Sequence, residues 1–119
     1  MTAGNELLAS IIEGIRAKKG ARIVTVDMTL IETAPCDYFV ICQGNSPQQV
    51  EAITDSVADT VRLQAAEKPA AVAGLENAEW VAMDYGNVMV HVFVPDARQY
   101  YDLEHLWEDA RLRELPDEA

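Results

Sequence analysis

Metal-binding and redox motifs are missing from this sequence. It has only two cysteines, Cys36 and Cys42, and their spacing matches neither a CxxC redox pair nor a zinc cluster. The two histidines, His91 and His105, have no acidic or cysteine partner at ligand spacing. We therefore expect two reduced thiols, with Cys42 buried as a small hydrophobe, and neither a metal ion nor another cofactor.

Membrane-spanning and targeting signals are missing as well. No apolar run approaches the length that is needed to cross a bilayer. The first ten residues, MTAGNELLAS, lack the basic and apolar segments of a secretory signal and the arginines of a mitochondrial transit peptide. The sequence thus favours a cytoplasmic location and no membrane partner.

Basic residues are scarce, because nine Lys and Arg stand against 20 Asp and Glu, and the formal net charge is -11. This balance disfavours direct nucleic-acid readout, which depends on Lys and Arg that neutralise phosphates. It favours a basic protein as partner, since complementary charge steers association. Solubility alone is an equally good explanation of the charge.

The residues that are present predict one folded domain, residues 1–119, because half of them are hydrophobic and only six are glycine and five proline. Apolar periodicity predicts, in chain order, a helix at 7–15, strands at 23–26 and 38–42, a long helix from Ser46, an edge strand within 70–78, a hairpin at 80–94 and short helices. This order indicates the α/β class, as a single domain with a mixed β-sheet packed with helices. The tail from about 113 to 119 is expected to fray.

The predicted hairpin contains two residues with more than one interpretation. Alternation along its second arm would place the even-numbered valines on one face and His91 on the other. We interpret His91 as a hydrogen-bonded core or groove histidine rather than a catalytic base. Trp80 is equally consistent with a core position and with an interface anchor.

Two further patterns allow a catalytic interpretation, and each has a simpler one. Gly44-Asn45-Ser46 lies between a strand and a helix, where phosphates can bind, but it lacks the glycine motifs of nucleotide sites, so we interpret it as a turn with a helix cap. Asp27, Asp37 and Asp84 flank strands and could hold magnesium for nucleotidyl transfer. No closely spaced carboxylate pair accompanies them, so strand-end capping or partner contact is preferred.

Several segments, taken in their order and spacing, resemble the ribosomal silencing factor family, also called RsfS or Iojap. The match covers nearly the whole chain. The matching residues are Asp37-Tyr38-Phe39-Val40-Ile41-Cys42, Gly44-Asn45-Ser46, Gln49-Val50, Trp80, Asp84-Tyr85-Gly86, Val90-His91-Val92-Phe93, Arg98-Gln99-Tyr100-Tyr101-Asp102-Leu103-Glu104 and Leu106-Trp107.

The resemblance implies a fold with nucleotidyltransferase-like topology but without the catalytic residues, so we expect no enzymatic activity. Proteins of this family bind ribosomal protein fourteen of the large subunit. Bound there, they sterically block association with the small subunit and repress translation under nutrient limitation. A metal-dependent nucleotidyltransferase or nucleotide-binding enzyme is the alternative.

The resemblance also predicts a partner-binding site on the first arm of the hairpin. Trp80 matches the family's anchor tryptophan, and Asp84 matches an acidic position suited to basic side chains of the ribosomal protein. Val81 and Met83 are expected to flank them, and Tyr85 belongs to the same site although other members carry an aliphatic residue there. Exposed apolar surface on the hairpin also allows a homodimer when no ribosome is bound.

Overall fold

A six-stranded mixed β-sheet lies at the centre of the computed structural model, which describes residues 3–117. In chain order the elements are α1 (Ala3–Ala17), β1 (Ala21–Asp27), β2 (Tyr38–Gln43), α2 (Pro47–Ala65), β3 (Ala71–Ala73), β4 (Trp80–Asp84), β5 (Val88–Phe93), α3 (Pro95–Tyr101), a 3-10 turn (Leu103–His105) and β6 (Arg111–Glu114). The strands lie side by side in the order β3-β4-β5-β2-β1-β6. The predicted α/β class, with a mixed sheet packed with helices in one domain, is confirmed.

Within the described residues, no helix is both long enough and apolar enough to span a membrane.

Strand β5 lies between two partners that run in different directions. It pairs in parallel with β2, where Val88 lies opposite Tyr38, and antiparallel with β4, where Phe93 lies opposite Trp80. Strands β4 and β5 form the predicted hairpin. Five of the six side chains of β5 are buried, which identifies it as a strand that is covered on both faces.

Helices α1 and α2 cover one face of the sheet, called the helix face below, and this face holds the larger core. Ser46 caps α2 by accepting the backbone N–H of Gln49 at 3.2 Å. The side-chain amide of Gln49 donates to the carbonyls of Lys18 and Lys19, both at 3.2 Å, and so ties the start of α2 to the end of α1. Residues 44–46 therefore act as the predicted turn and helix cap.

The opposite face of the sheet carries a second, smaller core. Side chains of β1, β2 and β5 form it, and the segments 28–36 and 97–110 pack over them. Aromatic contacts hold this cover in place, since the Phe39 and Trp107 rings meet edge to face with centroids 5.7 Å apart. No residue of β3 belongs to either core, so the cover stops at β4.

The C-terminal segment differs from the frayed tail that was predicted for about 113 to 119. Residues 111–114 form β6, which pairs antiparallel with β1. Leu115 extends the pairing by donating its N–H to the carbonyl of Ile23 at 2.8 Å. The predicted fraying is therefore wrong for residues 113–115. The sequence gives no sign of this strand, because all four side chains of β6 are exposed and form no apolar pattern. The strand is stabilised by its pairing with β1, which is distant in the chain. Residues 118 and 119 lie outside the described residues.

Arg98 joins α3 to the sheet from a nearly buried position, at 5% exposure. Its guanidinium donates two hydrogen bonds to the Glu104 carboxylate, at 2.7 and 3.2 Å. It also donates to the carbonyl of Arg22 at 2.7 Å and to the side-chain oxygen of Gln43 at 3.3 Å. These bonds hold α3 and the turn after it against β1 and β2.

We expect Arg98→Ala to lower the free energy of unfolding by about 3 kcal/mol, because the Glu104 carboxylate, only 16% exposed, would lose its cation. Chemical denaturation at neutral pH measures this change. The control is Arg62→Ala, which breaks the exposed Arg62–Asp59 pair on α2 and should cost about 0.5 kcal/mol or less. Equal effects of the two substitutions would contradict the role assigned to Arg98.

Candidate docking surface

The residues that were predicted to bind a partner lie on β4 and at the first position after it. Strand alternation divides them between the two faces of the sheet. Val81, Met83 and Tyr85 point to the helix face and belong to the larger core. Trp80 and Asp84 point to the opposite face and are only partly buried.

Val81, Met83 and Tyr85 are therefore not available for contact with a partner. Val81 and Met83 are fully buried at 0% exposure, and Tyr85 is buried at 7% exposure. Burial raises the pKa of the Tyr85 hydroxyl to about 12. The predicted contact role of these three residues is corrected, because matching a residue to a family position does not say which face of the sheet its side chain takes.

The edge strand β3 extends the exposed side of β4. In their antiparallel register Ala71 lies opposite Asp84 and Ala73 lies opposite Ala82, so these side chains share the face of Trp80. Trp80 and Asp84 lie at the two ends of β4. They are about 13 Å apart, because four residue steps along a strand rise ~3.3 Å each. We call these five residues the β4 surface. The sequence predicted the edge strand but not its register with β4, so it did not identify Ala71, Ala73 and Ala82 as part of this surface.

Trp80 is fixed by the core on one side and open on the other. Its indole Nε1–H donates to Nδ1 of His91 at 3.0 Å. Its rings stack on Phe93 with centroids 5.2 Å apart and contact the ring of Tyr101 at 4.6 Å. The side chain is half-buried, so it packs on the core and leaves the rest of its surface exposed to solvent, and its role as an interface anchor stays a prediction.

His91 is the core histidine that the hairpin pattern predicted. It is 4% exposed, and burial lowers its pKa from the ordinary 6.5 to about 4, so it is neutral at physiological pH. Because Nδ1 accepts the indole N–H of Trp80, the neutral ring carries its proton on Nε2. Nε2 has no hydrogen-bond partner among residues 3–117, and the Phe39 ring lies edge-on at 4.6 Å. This environment positions Trp80 and does not suit a general base.

Asp84 has a local structural role beside its charge. Its Oδ1 accepts the backbone N–H of Gly86 at 2.8 Å and so stabilises the turn between β4 and β5. Gly86 has φ +86, a conformation that favours glycine. One carboxylate oxygen thus serves the turn, and the negative charge lies at the end of the β4 surface.

Asp27, Asp37 and Asp84 do not meet at a metal site. Asp27 lies on the helix face in a groove with Leu8 and Ile12 of α1, whereas Asp84 lies on the opposite face. Strands β2 and β5 lie between them, so that three strand-to-strand spacings of ~4.8 Å separate the two residues by about 14 Å. Thr29 donates both its N–H and its hydroxyl to Asp27 Oδ1, and these bonds lower the pKa of that carboxyl. Within the described residues, no group of three or more His, Cys, Asp or Glu could hold a metal.

The His91 environment predicts a pH dependence of stability. Unfolded His91 binds a proton near pH 6.5 and folded His91 only near pH 4, so unfolding is favoured as the pH falls from 6.5 to about 4. We expect a loss of about 3 kcal/mol across this window. Denaturation curves of wild type and of His91→Gln, which cannot gain a proton, measure the difference in slope. Parallel pH profiles of the two proteins would show that His91 titrates normally in the folded state.

Comparison with known proteins assigns the chain to a family. The family model described as "Ribosomal silencing factor during starvation" matches residues 2–119. The ribosomal silencing factor RsfS of Halalkalibacterium halodurans is 40% identical over 113 residues, which cover 95% of each chain. The crystal structure of a Chromobacterium violaceum protein has a TM-score of 0.83 at 33% identity and covers 91% of this chain and 88% of its own.

A more distant relative comes from the mouse and is named mitochondrial assembly of ribosomal large subunit protein 1. It is 28% identical over 92 residues, which cover 76% of this chain and 40% of the mouse protein. The family match extends over almost every residue, and the same fold recurs in a solved structure. The chain belongs to the ribosomal silencing factor family.

Proposed function

We propose that this protein represses translation by steric exclusion and catalyses no reaction. Its β4 surface binds ribosomal protein fourteen of the large subunit in the cytoplasm, and the bound protein blocks association with the small subunit. Translation then falls under nutrient limitation and in stationary phase. The observation that carries the proposal is Trp80, whose indole is anchored to His91 while its remaining surface is open beside an uncovered strand.

Charge and relatives support the partner. The formal net charge of -11, with Asp84 on the β4 surface, suits a basic protein partner. The mouse relative carries the large ribosomal subunit in its name, which supports that subunit as the binding site.

The dimensions of the protein support a steric mechanism. Its extents are 35 × 33 × 29 Å and its accessible surface is 6994 Å². A specific interface of ordinary size uses roughly 800 Å² of each partner, about a ninth of this surface. The remaining body projects from the docking site and excludes a second subunit.

Trp80→Ala should weaken binding to purified large subunits by about 30-fold or more, equivalent to at least ~2 kcal/mol, because a rigid aromatic anchor is lost from the contact. Co-sedimentation at increasing protein concentration measures the affinity. Leu63→Ala is the control, since Leu63 is 75% exposed on α2 and lies away from the β4 surface. Wild-type occupancy by a folded Trp80→Ala protein would remove this surface from the interface.

A substitution at Asp84 can remove its negative charge and keep its hydrogen bond to the turn. Asp84→Asn keeps an oxygen that accepts the Gly86 N–H but removes the charge, so we expect a loss of affinity of about 2- to 5-fold that disappears at high salt. Asp59→Asn, an exposed change on α2, is the matched control. The affinity for large subunits, measured at low and high salt, decides the outcome. Equal losses for both variants would mean that only net charge matters.

A second copy of the chain is expected on the same surface when no ribosome is bound. Strand β3 is an edge strand whose three side chains, those of Ala71, Val72 and Ala73, are all exposed, and such an edge can pair with another chain. Mass measurement of the free protein tests this association, and large subunits should return the protein to a single copy. A monomer at every concentration would exclude it.

A further inference from the structure

A small concavity lies against Trp80, beside the β4 surface. Its volume is about 170 Å³, enough for one long side chain but not for a helix or strand. We call it the Trp80 socket. It is lined by Gly74, Asn77, Glu79, Trp80, Ala97 and Tyr101.

Two aromatic rings form one wall of the Trp80 socket. The rings of Trp80 and Tyr101 are in contact, with centroids 4.6 Å apart and planes tilted by 43°. Tyr101 is 50% exposed, so its ring remains accessible. Aromatic faces carry negative electrostatic potential and attract a cation placed over them.

The charged residues around the socket are negative, as is the electrostatic potential of the ring faces. Glu79 lines the socket and also the neighbouring concavity at the start of α3, where Asp96 lies as well. None of the six lining residues is basic, so nothing in the lining neutralises Glu79. Aromatic faces together with a carboxylate are the groups that bind an ammonium or guanidinium group in proteins.

The loop that carries Glu79 has little freedom to move away. Gly74 has φ +94, and a Cβ at this position would lie 2.0 Å from the carbonyl oxygen of Trp80, so only glycine fits. Ala78 donates its N–H to the Gly74 carbonyl, and Val94 donates its N–H to the Glu79 carbonyl, both at 2.9 Å. The socket is therefore built before any partner arrives, which reduces the entropy cost of binding.

We infer that the Trp80 socket receives one lysine or arginine side chain of the partner, held by cation–π contact with Trp80 and Tyr101 and by an ion pair with Glu79. This inference rests on the proposed function, because it takes the β4 surface as the docking site. It adds a requirement for a cationic side chain of the partner at one defined point, and it adds Tyr101 and Glu79 to the residues that family resemblance assigns to the site.

The test compares matched variants by co-sedimentation with purified large subunits. Tyr101→Leu removes the aromatic face and Glu79→Gln removes the charge, and each should weaken binding by about 5-fold. Tyr101→Phe keeps the ring and should bind like wild type. The controls are Tyr100→Leu, a change of a neighbouring ring outside the socket, and Glu76→Gln, an exposed change in the same loop. Both should stay within about 2-fold of wild type.

A second measurement needs no ribosome. N-acetyl-arginine amide should shift the indole N–H resonance of Trp80 in the wild-type protein, and N-acetyl-leucine amide should not. The arginine-induced shift should be lost in Glu79→Gln.

The outcomes separate the two proposals. Wild-type binding by Trp80→Ala would overturn the docking surface itself. Loss of binding in Trp80→Ala, with wild-type binding by both Tyr101→Leu and Glu79→Gln, would overturn the socket and leave the proposed function standing. Weakening by Glu76→Gln equal to that by Glu79→Gln would also overturn the socket, because it would indicate a general effect of charge.

Discussion

Burial of β5 on both faces is the constraint on which the rest of the structure depends. Its even-numbered valines lie in the core beneath α1 and α2, and Phe93 lies in the core on the opposite face. A strand of this kind needs cover on two sides. The helices supply one cover, and the segments 28–36 and 97–110 supply the other. Because the second cover stops at β4, an open strip remains on the outer strands, and Trp80 stands at its boundary.

The hydrogen bond between Trp80 and His91 connects the core to this strip. A buried imidazole that found no donor would destabilise the fold, and the indole N–H satisfies Nδ1 at 3.0 Å. The same bond fixes the orientation of the indole ring. A partner therefore loses less free energy to ordering this side chain when it binds. Core packing therefore sets the orientation of a surface residue. Asp84 is similar, since its carboxylate holds the turn after β4 and carries the charge at the end of the strip.

Much of the fold could be predicted because local patterns encode it. Ser46 caps α2 through an atom three residues away, the strand at 38–42 is continuously apolar, and the hairpin turn lies between two apolar arms. The candidate site was predicted less well. Trp80 and Asp84 lie on an accessible face, but Val81 and Met83 lie under the helices, because side chains one position apart on a strand point in opposite directions.

The sequence by itself determined the order of elements up to the short helices after the hairpin, the strands that must be central and the family to which the chain belongs. Only the tertiary structure decided which face each residue of β4 takes, because a shift of one residue in register exchanges the two faces. It alone also decided that β6 pairs with β1 and that Tyr101 packs on Trp80. Those contacts join segments far apart in the chain, and they depend on how the whole sheet is covered, which no local pattern records.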